Sequence, residues 1–270
     1  HPAPERDASR LLVFDRASGS RSFAHFGTLL DHLHPGDLLV FNDAKVIPAR
    51  LRGRKVDGSG GIGGAVEILL LEESAPRTWW SLLRPGKRVR PGTLLHFGPP
   101  SAPLPATVLA KNDEGHCQLR FEGDVLDFAA LHGELPLPPY IQRPEGPTLE
   151  ADRERYQTVY ARNPGSVAAP TAGLHFTPRI LQELRARGVE TAHLTLHVGA
   201  GTFLPVKADR LTDHRMHEER FSLPPETAAV INRTKAAVRR VIAVGTTTAR
   251  VLESVARGFH GGVWGDIPDA

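Results

Sequence analysis

The sequence predicts an α/β main domain assembled from both ends of the chain, with an inserted antiparallel β-barrel domain between them. Three observations predict it. Mixed strand and helix signals occupy residues 11–51; short apolar runs separated by turn signals replace them from about Arg52 to about Gly146; strand-turn-helix units resume after Glu150. The expected boundaries are 1–51 and 151–270 for the two parts of the α/β domain and 52–150 for the barrel-like insertion.

In the first part, Leu11–Asp15 reads as a strand and Phe26–Leu33 as a helix, and after the Pro35-Gly36 turn Asp37–Phe41 reads as a buried strand. In the middle, Val66–Leu71, Thr78–Leu83, Thr93–Phe97, Ala106–Ala110 and Cys117–Phe121 read as strands. Pro85-Gly86 and Pro91-Gly92 turn the chain between them, and one helix is expected at Val125–His132. The glycine cluster from Gly58 to Gly64 is followed by a strand where a dinucleotide fingerprint requires a helix, so it is expected to be a mobile hairpin tip. In the last part, Thr177 caps a helix with Pro178 at its first position, Ile180, Leu181 and Leu184 on one face, and Gly188 as its stop. A strand over Val189–Val198 follows. Next come a helix over Pro225–Lys235 and a buried strand over Val241–Val244 that breaks at Gly245 into a helix carrying Arg250 and Glu253.

At 270 residues and 40% hydrophobic the chain can bury a sizeable core, which argues against disorder. Six of its 33 basic residues are lysine, leaving 27 arginines; arginine forks suit phosphate and carboxylate groups, although a net charge of +3 gives no strong electrostatic footprint. Cys117 stands alone, so no intrachain disulfide forms and a reducing cytosol fits. No apolar run approaches the ~20 residues that cross a bilayer. A soluble, cytoplasmic monomer is expected.

Four segments carry chemistry. Residues 169–177 (APTAGLHFT) lead into a helix N-terminus, where small residues let backbone approach a ligand and His175 can serve as acid or base; a histidine in an ordinary helix-entry loop reads the same way. Residues 197–203 (HVGAGTF) end a strand at the ligand-binding edge of an α/β sheet, with two glycines permitting close contact. Residues 214–219 (HRMHEE) place two histidines three apart before carboxylates, a pattern suited to proton transfer or to a solvated loop, and lacking the zincin order. Residues 244–250 (VGTTTAR) open a helix with hydroxyl residues and bring Arg250 a turn away, which favours an anion.

Taken in order, residues 165–177 (GSVAAPTAGLHFT), 197–203, His214-x-Met216-His217 and Val244-Gly245-Thr246-Thr247 closely resemble the S-adenosylmethionine:tRNA ribosyltransferase-isomerase family of queuosine biosynthesis. Further matches are Arg6-Asp7 with Ser9 to Leu12, residues 37–51 (DLLVFNDAKVIPARL), residues 137–141 (LPPYI) and residues 156–161 (YQTVYA), so the resemblance covers nearly the whole chain. It implies an α/β domain built from both chain ends with an inserted β-barrel. It also implies transfer and isomerisation of the ribosyl part of S-adenosylmethionine onto a 7-aminomethyl-7-deazaguanine at the tRNA wobble position, with loss of adenine and methionine. S-adenosylmethionine is then a consumed substrate, no cofactor is needed, and the partner is tRNA carrying the precursor base. The matching carries His175, His197, His214, His217 and Glu219 over as catalytic candidates, with His175 as base or acid and Glu219 as charge partner of the sulfonium or amine. Thr171, Gly199, Gly201, Thr202, Thr246 and Arg250 become candidates to hold S-adenosylmethionine, and Asp43, Lys45 and Arg50 to face substrate. Glu218 stands where relatives carry a small residue, and Val238 where glycine is common. Relatives continue past the point matching Ala270 through an Asn-Phe-His-Leu-Pro-like motif, so the chain is expected to be C-terminally incomplete.

Two other functions compete. A noncatalytic tRNA-binding module centred on the insertion would bind RNA regardless of His175. A metal-dependent hydrolase would use His214, His217 and Glu218 or Glu219.

Overall fold

A computed structural model describes residues 5–57, 61–138, 150–199 and 219–258. Near its start, β1 (Arg10–Phe14) and β2 (Arg21–His25) form an antiparallel hairpin, followed by a helix of the 3-10 type over Phe26–His32, where the sequence places a helix. The polypeptide then enters β3 (Leu38–Asn42), whose every residue is buried. The reason is that both faces of β3 are covered. Leu38 and Val40 point into one core and Leu39 and Phe41 into another, the alternation a strand imposes.

After the short strand β4 (Ala44–Val46), the chain builds a closed six-stranded antiparallel barrel from β5 (Arg50–Val56), β6 (Ile62–Ala75), β7 (Thr78–Arg84), β8 (Leu94–Phe97), β9 (Leu104–Lys111) and β10 (Cys117–Phe121). The strand order is β10-β7-β6-β5-β8-β9. Five strands were expected there. The sixth, β5, reads as polar (RLRGRKV), and it belongs because Leu51 enters the barrel core while Gly53 lets the β8 backbone approach. A side chain at Gly53 would place its Cβ 2.4 Å from the His96 carbonyl oxygen. The helix α1 (Val125–His132) follows, capped by the Asp124 carboxylate on the Leu126 and Asp127 amides.

The chain returns through α2 (Glu150–Arg155) to β11 (Asn163–Ser166), which pairs in parallel with β4. Next, α3 (Pro178–Ala186) begins at Thr177, whose hydroxyl accepts from the Ile180 amide as a cap should. Then come β12 (Glu190–Leu196), β13 (Phe221–Ser222), α4 (Pro225–Ala236), β14 (Val241–Ala243) and α5 (Thr246–Arg257). The main sheet has the order β13-β12-β3-β14, with β12 and β14 both parallel to β3. Ile180 and Leu184 of α3 pack on one face, and Ile231, Val251 and Leu252 of α4 and α5 pack on the other. No helix among the described residues is long and apolar enough to cross a membrane.

The amino edge of this sheet is locked by charge. Arg240, just before β14, donates from Nε to Asp37 Oδ1 at 2.9 Å and also reaches Asp37 Oδ2, while the His34 amide donates to the same oxygen at 2.7 Å. Asp37 is 2% exposed. The Arg240 contact holds its carboxyl below the ordinary value of 3.8 against the opposing effect of burial. A depressed carboxyl contributes stability above the unfolded value that is lost as pH falls through the folded one. Asp37→Ala is therefore expected to lower stability at neutral pH by about 1–2 kcal/mol, allowing for the solvent screening of half-exposed Arg240. In urea titrations the difference from the unmodified chain should shrink as pH drops below about 4; a gap that stays constant to lower pH would contradict the assignment.

Candidate active site

The carboxyl ends of β3, β12 and β14 converge, and Asn42 closes them. Its side-chain amide donates to the Leu196 carbonyl at 2.9 Å and to Thr247 Oγ1 at 3.2 Å. Its oxygen accepts from the Ala44 and Leu196 amides at 3.1 and 3.0 Å. One fully buried side chain thus ties the end of β12, the first turn of α5 and the exit of β3. It lies inside the matched run of residues 37–51, where its signal is a polar amide terminating a strand of apolar residues.

Asp43 follows directly and is 5% exposed. Its Oδ1 accepts from Thr195 Oγ1 at 2.7 Å and from Asn163 Nδ2 at 3.0 Å, and Asn163 also donates to Thr195 at 2.8 Å. Both donors are neutral. Among the described residues no cationic side chain pairs with this carboxylate. Burial raises the Tyr160 phenol, and the Asp43 charge adds to the effect. Thr195 and Asn163 lie outside every segment selected for chemistry.

His197, just beyond β12, is half-buried and packs over Gly165. That glycine has a φ of 136°, and a Cβ there would stand 3.1–3.4 Å from the imidazole ring, so only glycine suits both backbone and ring. Nδ1 of His197 is buried and has no hydrogen-bond partner among the described residues. Burial lowers the pKa of His197 from 6.5, and the Asp43 charge opposes that shift.

On the neighbouring side, Glu219 accepts from the Gly199 amide at 3.4 Å and pairs with Arg250 of α5. Thr246 is exposed at the N-terminus of α5. The preceding Gly245 abuts Ala172, so the segment Thr171–His175, a 3-10 turn and not an open loop, lies beside this helix end. Thr171 is exposed there. His175 is engaged with the N-terminal segment: its Nδ1 lies 3.2 Å from the Arg6 carbonyl oxygen and its ring 5.2 Å from that of Phe26.

Asp43 and His197 are thus electrostatically coupled, and Gly199, Glu219 and Arg250 are in contact. Lys45 is exposed on β4, and Arg50 faces Glu67 at 3.7 Å on the barrel. Gly201, Thr202, His214 and His217 lie outside the described residues. Among the described residues no three His, Cys, Asp or Glu side chains gather closely enough to hold a metal ion.

Fold and site together define an α/β protein with an inserted antiparallel barrel and a polar site at the carboxyl edge of its parallel strands. The chain belongs to the queuosine biosynthesis protein family, whose model matches residues 1–266, and its role lies in queuosine synthesis. It is similar to an S-adenosylmethionine tRNA ribosyltransferase from Thermotoga maritima, whose crystal structure was solved at 2.00 Å resolution. The identity is 32%, covering 96% of this chain and 70% of that one, with a TM-score of 0.43.

The coupling of His197 to Asp43 is open to measurement by NMR titration of the imidazole. Its pKa should lie below 6.5. In Asp43→Asn it should fall further, because the lost carboxylate favoured the charged ring. A rise in the variant would break the link between the two residues.

Proposed function

We propose that the chain transfers and isomerises the ribosyl moiety of S-adenosylmethionine onto 7-aminomethyl-7-deazaguanine at the tRNA wobble position. Epoxyqueuosine forms, and adenine and methionine leave. Family membership and the ordered motifs support this reading, and the observation that carries it is Asp43: a buried carboxylate held by two neutral donors and facing no cation among the described residues. Burying such a charge is costly unless something positive completes it. The sulfonium of S-adenosylmethionine is a cation of that kind, arriving as a consumed substrate with no separate cofactor required.

The chemistry assigns the remaining groups. A sulfonium acidifies the adjacent ribose 5′ carbon, and a base there must be neutral at working pH; burial keeps His197 in that form. Glu219 has its charge met by Arg250. The counter-charge of the sulfonium therefore passes to Asp43, and the Glu219–Arg250 pair orients Gly199 and the α5 end around the ligand. His175, His214 and His217 are assigned to the other proton transfers, at the departing adenine and the incoming amine.

Incubation with S-adenosylmethionine and a precursor-bearing anticodon stem-loop should release adenine and methionine and add the corresponding mass to the RNA. Absence of adenine release would refute the reaction. The sulfonium assignment has its own test in S-adenosylhomocysteine, which lacks the positive charge. The unmodified chain should bind S-adenosylmethionine more tightly than this thioether, and Asp43→Asn should cut that preference by roughly tenfold, about 1.4 kcal/mol. An undiminished preference would remove Asp43 from the role.

A further inference from the structure

The turn between β7 and β8 presents Lys87, Arg88 and Arg90, all exposed. Its backbone is fixed. Val89 is 3% exposed in the barrel core, the Arg90 amide donates to Thr93 Oγ1 at 3.1 Å, and the Gly92 amide donates to the Val108 carbonyl at 2.8 Å. Two lysines from strands distant in sequence reach the same turn: Lys55 Nζ donates to the Arg88 carbonyl at 3.4 Å, and Lys111 Nζ to the Gly86 carbonyl at 3.2 Å. Five cationic side chains thereby converge on one rigid loop.

Among the described residues none of the five forms an ion pair, whereas Arg52, Arg179, Arg220, Arg233 and Arg240 elsewhere all face carboxylates. The sequence accounts for the difference, since residues 74–112 contain no aspartate or glutamate. Of the carboxylates near the two lysines along the chain, Asp57 and Glu114 are directed at the Gly61 amide and at His116, and exposed Asp113 forms no ion pair with Lys111 among the described residues. Uncompensated like charges held together on a fixed turn repel one another, and a polyanion relieves that repulsion.

We propose that this turn, with Lys55 and Lys111, holds the phosphate backbone of the tRNA away from the wobble nucleotide. The proposal rests on tRNA being the substrate. Distance fits a large ligand. At the other end of β7, the β6–β7 hairpin meets the site through Arg220, which pairs with Glu72 and directly follows Glu219. Glu72 lies opposite Trp80, and the stretch from Trp80 to Arg84 alone puts the start of the basic turn about 13 Å along the strand from that contact, with Lys87, Arg88 and Arg90 farther on. Contacts at this range position the RNA without reading its sequence.

The test uses the whole chain and a transcribed tRNA labelled for fluorescence anisotropy, over about 50 to 200 mM salt. The variant Lys87→Ala/Arg88→Ala/Arg90→Ala should bind tRNA at least roughly tenfold more weakly, with the slope of log affinity against log salt reduced by about 2. Its affinity for S-adenosylmethionine should be unchanged. Lys87→Glu, a single surface replacement, should shift binding in the same direction. A charge-matched control on the α/β part, Arg16→Ala/Arg239→Ala/Arg257→Ala, should change little. Unaltered affinity and slope in the barrel variant, or an equal loss in the control, would overturn the surface while leaving the reaction standing. Failure of the unmodified chain to bind tRNA would overturn both.

Discussion

Where β3 ends, a single amide must serve four groups at once, three of them fully buried. The chain leaves the sheet at Asn42 to start the barrel, so the carbonyl and amide of Leu196 on β12 lose the neighbour that would have continued the ladder. Asn42 replaces it, bonding both of those groups, the Ala44 amide and Thr247. No apolar side chain of similar size does this, and each buried group left unpaired costs about 1–3 kcal/mol. The insertion of a barrel in the middle of an α/β sheet is therefore made compatible with a closed edge by one residue. The position of everything carboxyl-terminal to the strands, including α5, is referenced to it.

Asp43 inherits its place from that constraint. Because Asn42 turns the backbone inward, the next side chain lies beside β12, within reach of Thr195, and beside β11, within reach of Asn163. Two neutral donors fix the carboxylate without neutralising it. Its charge then acts on its surroundings, raising Tyr160 and partly opposing the loss of basicity that burial imposes on His197. The opposite edge follows the contrary rule. Asp37 is equally buried, yet Arg240 meets it directly and the pair is spent on holding β3 against β14. One acid is locked by a cation and the other is held by neutral donors alone among the described residues, a contrast on which the proposed role of Asp43 rests.

Much of the architecture was legible because periodicity and punctuation are local. The cap at Thr177, the stop at Gly188, the helix over Val125–His132 and the break at Gly245 all emerge where the residues place them. The strand β5 was hidden because its outward residues are arginine and lysine and its inward contribution reduces to Leu51 and a glycine whose value lies in a strand that follows much later. The site was legible in its segments and illegible in its pairings. Motif spacing marks His175 and His197 alike, but it cannot report that one ring rests on Phe26 and the other on Gly165. Asn163 and Thr195 are 120 and 152 positions from Asp43, and nothing local distinguishes them from ordinary polar residues.

The barrel is joined to this site by more than chain connectivity. Val167, next to β11, and Ile47, between β4 and β5, are both buried in the barrel core. The amide of Ile47 donates to the Ser166 carbonyl, and the Ser166 hydroxyl accepts from the Val198 amide at 3.0 Å. The same short stretch that seats the barrel therefore fixes the backbone beside His197, and its Gly165 forms the floor under the imidazole. Barrel core and site backbone are therefore held by the same packed residues, as a close-packed interior requires. On the proposed reading, RNA contacts on the barrel and S-adenosylmethionine contacts at the sheet edge hold two separate substrates in a fixed relation, which a transfer between them requires.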